Sequence, residues 1–223
     1  MNVELLQKTD LSILVKAIRT CYESYEKSDS YFIEYAESDY KSYHLGEKDR
    51  GLIKSIIESK HESTLEHIVF TFDIKGISRL VLQELARHRI ASYSVKSTRY
   101  TLKELKFEEP FMTQEGESIK FDIDRVKKYI NLIDEVEVNE IDIASIRALE
   151  FLRLLVISGK FPNDKLKFAV PECYKTNLIM TINLRSFRNF LNLRLSERAH
   201  FEIRELAEKM KSKIPEQYQF LLV

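Results

Sequence analysis

Ile68-Val-Phe-Thr-Phe-Asp-Ile-Lys-Gly-Ile-Ser-Arg-Leu-Val-Leu-Gln-Glu-Leu-Ala-Arg-His-Arg-Ile-Ala-Ser-Tyr-Ser-Val-Lys-Ser-Thr-Arg-Tyr100 changes its pattern twice. From Ile68 to Ile74, β-branched and aromatic residues alternate with small polar ones, the period of a strand with one buried face. Ser78 to Ala86 switches to helical spacing. Arg87 to Tyr100 is then basic and rich in hydroxyls: Arg87, Arg89, Lys96 and Arg99 are permanent cations, His88 joins them, and Ser92, Tyr93, Ser94, Ser97 and Thr98 supply hydroxyl donors, with no carboxylate among them.

Cations near a helix C-terminus meet its dipole favourably, which accounts for Arg87, His88 and Arg89. It does not account for Lys96 and Arg99, which arrive after a hydroxyl-rich loop. Guanidinium forks, hydroxyls and backbone N–H groups together suit phosphate or another anion.

Toward the N-terminus, Glu47 to Lys60 predicts a helix with Leu52, Ile53, Ile56 and Ile57 on one face, and His61 to His67 reads as a capped turn. Val3 to Leu6 suits a short strand. Asp10 is placed to cap a helix through Leu11, Leu14, Val15, Ile18 and Cys21. Tyr22 to His44 is rich in Tyr, Ser, Glu and Asp with no clean period, so an insertion, a lid and helical packing all fit it.

Toward the C-terminus, Pro110 and Gly116 punctuate a surface loop or irregular strands. Ile123 to Val138 and Ile141 to Ser158 show helical spacing, the second closed by Gly159, and Pro162 opens a short helix. Asn177 to Leu184 alternates as a strand, Ser186 caps a helix to Leu195, and Ser196 or Glu197 leads into a last helix to Lys213. Strands this few, separated by helices or long connections, predict an α+β fold: a single domain over residues 1–223, with a small, mostly antiparallel sheet packed with helices.

A chain of 223 residues with 44% apolar composition is ordinary for a soluble globular domain. Lys plus Arg balance Asp plus Glu at 35 each, so no global field draws the protein to nucleic acid or to an anionic membrane, and any anion site is local. Met1 to Leu14 has no unbroken apolar run of the signal-peptide kind, and no stretch approaches the roughly 20 apolar residues of a membrane span. Cys21 and Cys173 lie far apart without metal-like spacing. No metal site is expected, and a cytoplasmic location fits.

Arg87-His88-Arg89, seven residues and then Ser97 closely resembles the signature of the flavin-dependent thymidylate synthases. Three further segments resemble the same family in the right order: His61-Glu-Ser-Thr-Leu-Glu-His67, Asn183-Leu-Arg-Ser-Phe-Arg-Asn189, and Phe190-Leu-Asn-Leu-Arg194 with Glu202-Ile-Arg204 beyond. The resemblance implies an α+β fold and a homotetramer with active sites between subunits. It also implies methylation of dUMP to dTMP, with methylenetetrahydrofolate as one-carbon donor and FAD passing reducing equivalents from NADPH.

Carried over residue by residue, the resemblance places Glu84, Arg87, Val95, Lys96, Ser97, Thr98, Arg99, Lys167 and Arg194 at dUMP. It places His61, Ser63, Arg87, His88, Arg89, Val95, Asn183, Arg185 and Asn189 at FAD. Arg194 is the catalytic candidate: uracil C5 is a poor nucleophile, and a fixed cation at the carbonyl or N3 edge stabilises charge that develops there. Ser97 is assigned to positioning, and hydride from the flavin replaces the cysteine nucleophile of the other thymidylate synthases. Val95, Lys167 and Arg198 stand where many members carry Glu or Gln, Arg, and His; Lys167 keeps the charge but loses the planar fork. The alternative is a non-catalytic nucleotide- or RNA-binding module built on residues 87–100. Neutral net charge weighs against RNA, as does the sparse aromatic interleaving of the cations, where Tyr93 alone stands between Arg89 and Lys96.

Overall fold

The computed structural model describes residues 1–34, 41–134 and 137–222. In chain order the first elements are β1 (Asn2–Lys8), α1 (Leu11–Cys21), β2 (Tyr31–Glu34), β3 (Lys41–His44), α2 (Glu47–Glu58), β4 (Val69–Ser78) and α3 (Arg79–Ala86). They are followed by β5 (Ala91–Val95), α4 (Thr98–Thr101), β6 (Met112–Glu115), β7 (Ser118–Phe121), α5 (Ile123–Val126) and α6 (Glu140–Ser158). The remainder comprises α7 (Asn163–Leu166), β8 (Lys175–Asn183), α8 (Leu184–Arg194), α9 (Phe201–Ser212) and α10 (Glu216–Gln219). The α+β expectation holds. One sheet is four-stranded in the order β1-β4-β8-β5, and β2 with β3 and β6 with β7 make antiparallel hairpins. No described helix is long and apolar enough to cross a membrane.

The chain packs into two compact units, each built from discontinuous segments. The first comprises Met1–Asn2, Ile74–Arg87 and Ser94–Leu178; the second comprises Val3–Asp73, His88–Tyr93 and Ile179–Val223. In the first, α6 turns Ile146, Leu149 and Leu152 onto Leu102, Leu105, Phe111, Val126 and Ile130, all fully buried. The same helix buries an ion pair, Glu150 with Arg153 at 2.7 Å. Its spare hydrogen-bonding capacity is met by backbone: Phe111 N–H donates to Glu150, and Arg153 donates to the Glu108 carbonyl. In the second unit Phe70, Phe72, Phe187, Phe190 and Tyr218 form an aromatic core of edge-on, tilted and stacked pairs. Burying each such ring is worth about 1.5–3 kcal/mol relative to leaving it exposed.

Two strands end in the same way. Ser78, the last residue of β4, caps α3 by accepting from Val81 N–H at 3.1 Å. Asn183, the last residue of β8, caps α8 by accepting from Ser186 N–H at 2.8 Å. Each strand thus passes straight into a helix whose far end carries cations, Arg87 after α3 and Arg194 at the end of α8.

Several sequence expectations are corrected. The hydroxyl-rich loop contains β5, because half-buried Ala91 and Tyr93 alternate with exposed Ser92 and Ser94, and Lys96 N–H beyond it donates to Asn177 O. The helix expected over Ile123–Val138 stops at Val126: Ile130 instead bridges to Tyr174 and Asn131 N–H donates to Cys173 O, so the backbone pairs sideways rather than along a helix. Glu135 and Val136 in that span lie outside the described residues. Asn183, not Ser186, caps α8. The helix expected from Ser196 or Glu197 begins only at Phe201, with His200 accepting from Glu202 N–H, and α10 follows it. The Tyr-rich segment forms a short 3-10 turn (Tyr25–Lys27) and the β2–β3 hairpin; its Tyr35 and Tyr40 lie outside the described residues.

Candidate active site

The first unit holds the nucleotide candidates Glu84, Arg87, Val95–Arg99 and Lys167. Glu84 and Arg87 pair across one turn at 3.5 Å, with the Arg87 side chain 72% exposed. Val95 ends β5 exposed, and Lys96 reaches Glu104 at 3.3 Å. Ser97 precedes α4, Thr98 is buried, and Arg99 is held from α7. Its carbonyl accepts from Asn163 Nδ2 at 2.6 Å, and its Nε lies 3.2 Å from an Asp164 oxygen. α7 runs directly into exposed Lys167, so Arg99 and Lys167, expected at one substrate, stand on neighbouring elements. An exposed pair such as Arg99–Asp164 is worth only about 0–1 kcal/mol, so a phosphate can take the guanidinium from it.

The second unit holds a cleft of about 910 Å³ along α8. Arg185, Arg188, Asn189 and Asn192, spaced at helical intervals, line it, with Glu62 and Glu66 of the 3-10 helix Glu62–His67. Arg185 pairs with Glu66 at 2.6 Å and Arg188 with Glu62 at 3.6 Å; Arg188 also donates to Leu221 O. His61 and Ser63 lie at the start of that 3-10 helix, which packs on α8. Asn183 spends its side-chain oxygen on the helix cap, leaving its amide nitrogen for a ligand. Guanidinium, amide and hydroxyl donors around this volume fit a ligand carrying a diphosphate, a ribose and adenine, as the ADP portion of FAD does. Sequence reasoning passed over Arg188 and Asn192, although their i+3 and i+7 spacing from Arg185 was readable. Glu62 and Glu66 lie within His61–His67, where nothing in the local sequence signals their arginine partners.

At the far end of α8, Arg194 Nε donates to His88 Nε2 at 3.0 Å. His88 is only 9% exposed and meets the Phe190 ring edge-on at 5.0 Å, while Tyr93 OH donates to its carbonyl at 2.9 Å. Burial pushes the Tyr93 phenol up to about 12, so it stays a donor at neutral pH. Arg89 is exposed beside them in sequence. His88 and Arg194, assigned by resemblance to different ligands, are therefore side chain to side chain.

A family profile described as thymidylate synthase complementing protein matches residues 4–218. A protein of Wolinella succinogenes described as flavin-dependent thymidylate synthase is 49% identical over 222 residues, 99% of this chain and 97% of that one. One of Helicobacter pylori with the same description is 42% identical over 99% of this chain and 97% of its own. The crystal structure of the Helicobacter pylori enzyme complexed with FAD and dUMP superimposes with a TM-score of 0.85, covering 100% of this chain and 98% of that one at 42% identity.

Proposed function

The chain belongs to the flavin-dependent thymidylate synthase family, and on that premise we propose that it methylates dUMP to dTMP, with methylenetetrahydrofolate as one-carbon donor, FAD as cofactor and NADPH as reductant. The observation that carries this reading is the likeness to those enzymes along the whole chain, which takes in both the Arg87–Arg99 segment and α8. FAD, when bound, supplies the two electrons by which a transferred methylene unit becomes a methyl group, and NADPH replenishes them.

Arg99 and Lys167 hold the nucleotide phosphate, with Ser97 and Thr98 completing the contact through hydroxyl and backbone donors. Arg194 sets its guanidinium at the pyrimidine edge where charge develops, and so contributes more in the transition state than in the ground state. Arg185 and Asn189 hold FAD in the α8 cleft, and Arg188, tied to Glu62 and Leu221, stiffens that wall. The non-catalytic binding-module alternative has no observation in its favour.

The same proposal includes a homotetramer with shared active sites. The outward face of α6 supports assembly. Phe151, Leu154 and Ile157, at successive i+3 positions, form a second apolar stripe there, with Phe151 60% exposed, on a helix already apolar toward its own core. Such a doubly apolar helix is buried when a partner covers its outer face.

The test is direct. Purified protein carries a flavin absorbance and converts dUMP to dTMP only when methylenetetrahydrofolate and NADPH are both supplied. Flavin-loaded protein that forms no dTMP under those conditions refutes the reading.

A further inference from the structure

We propose that His88 is a positioning residue for Arg194, orienting the guanidinium that acts on the pyrimidine. This rests on the role given to Arg194 above. Arg194 is the last residue of α8, and its side chain has many rotamers to lose before it can present one fixed plane. Nε is the guanidinium nitrogen joined to the side-chain stem, so a bond from it to a fixed acceptor sets the orientation of the whole planar group. His88 Nε2 is that acceptor, at 3.0 Å.

The acceptor is itself fixed. His88 is buried, its ring meets Phe190 edge-on, and its carbonyl receives the Tyr93 hydroxyl. Phe190 and Arg194 are one helical turn apart, so the residue that packs the imidazole and the residue it directs move with the same helix. To accept from Arg194, Nε2 must be unprotonated, which puts the ring's single proton on Nδ1. A second proton would turn the acceptor into a donor and set a cation against Arg194. The side chains placed against the ring and its backbone include Arg194 and Phe190 from α8 and Tyr93 from β5.

Four variants of the flavin-loaded protein test this: His88→Phe, which keeps a ring against Phe190 but offers no acceptor; His88→Gln, whose amide oxygen reaches the Nε2 position; Arg194→Ala; and Arg194→Ala with His88→Phe. We expect His88→Phe to lower kcat by roughly 10- to 100-fold, the scale of a misplaced catalytic group, while KM for dUMP and bound FAD stay within about threefold. His88→Gln should recover kcat to within about threefold of the unmodified protein, because the acceptor returns. On the Arg194→Ala background His88→Phe should add less than about twofold, since residues acting through one another are non-additive. In the unmodified protein, whatever the variants' folding, the 15N shift of His88 Nε2 should be that of an unprotonated ring nitrogen.

Equal losses from His88→Phe on both backgrounds, loss of FAD as the main effect, or a protonated Nε2 would each overturn the assignment of His88 alone. Wild-type turnover by Arg194→Ala would overturn the role of Arg194, and that of His88 with it.

Discussion

Asp49→Ala should destabilise the protein by about 3–5 kcal/mol, the cost of stranding a buried charge. Asp49 is 1% exposed on α2, and its carboxylate accepts from Arg19 Nε at 2.8 Å and from the Ser28 and Ser30 hydroxyls at 2.6 Å each; Arg19 Nη2 lies at 2.6 Å. Arg19, on α1, is 6% exposed, and its further donors reach Ser24 Oγ and Lys27 O. This carboxylate therefore fastens the segment after α1 to both helices. An exposed pair of the same geometry would be worth about 0–1 kcal/mol, so burial decides which magnitude applies. At roughly 2–4 °C per kcal/mol for a chain of this size, the melting temperature should fall by on the order of 10 °C. Calorimetry at fixed protein and FAD concentration is the assay, because ligand and assembly both move the transition. Adding Arg19→Met to Asp49→Ala should recover part of the loss, since it removes the uncompensated cation. Burial alone would raise the Asp49 pKa, but the hydrogen bonds from Ser28, Ser30 and Arg19 outweigh it and hold the carboxyl below the usual aspartate value. An unfolded aspartate titrates near about 3.9. The stabilisation is therefore whole above that pH and is lost as pH falls through the lower native value, and Asp49→Ala should lack this part of the acid limb. A loss below about 1 kcal/mol, or further destabilisation from Arg19→Met, would refute the reasoning.

Arg99→Ala should weaken dUMP binding about tenfold or more while leaving uridine unaffected, measured by titration calorimetry; equal loss for both ligands would remove the phosphate assignment. Phe151→Asp, on the outer stripe of α6, should shift sedimentation toward smaller species without altering the far-UV spectrum. Gly159→Ala should cost about 1 kcal/mol in thermal unfolding, because the α6 cap holds φ at 63° where a side chain is strained. We further propose that the two units fold as one domain, since every strand of the four-stranded sheet passes from one unit into the other; two resolved calorimetric transitions would contradict this.

What the amino-acid sequence determined by itself is what local chemistry controls. Asp10 accepts from Ser12 N–H at the start of α1, Gly159 closes α6 in the left-handed region, and the alternations around Phe70 and Met180 made β4 and β8 legible, because caps and periods act within a few residues. The basic cluster at Arg87–Arg99 was legible for the same reason. Tertiary structure decided β5, whose hydroxyls suit a loop until its backbone finds a partner strand. It ended the helix after Val126 by giving Ile130 and Asn131 partners near Tyr174. It joined Arg194 to His88 across 106 residues and Arg185 to Glu66 across 119. A hydrogen bond between side chains so far apart leaves no period and no spacing in the chain; it exists only because β8 and α8 fold back to bring its two ends within about 3 Å, a closeness that packing and loop closure set rather than any local preference.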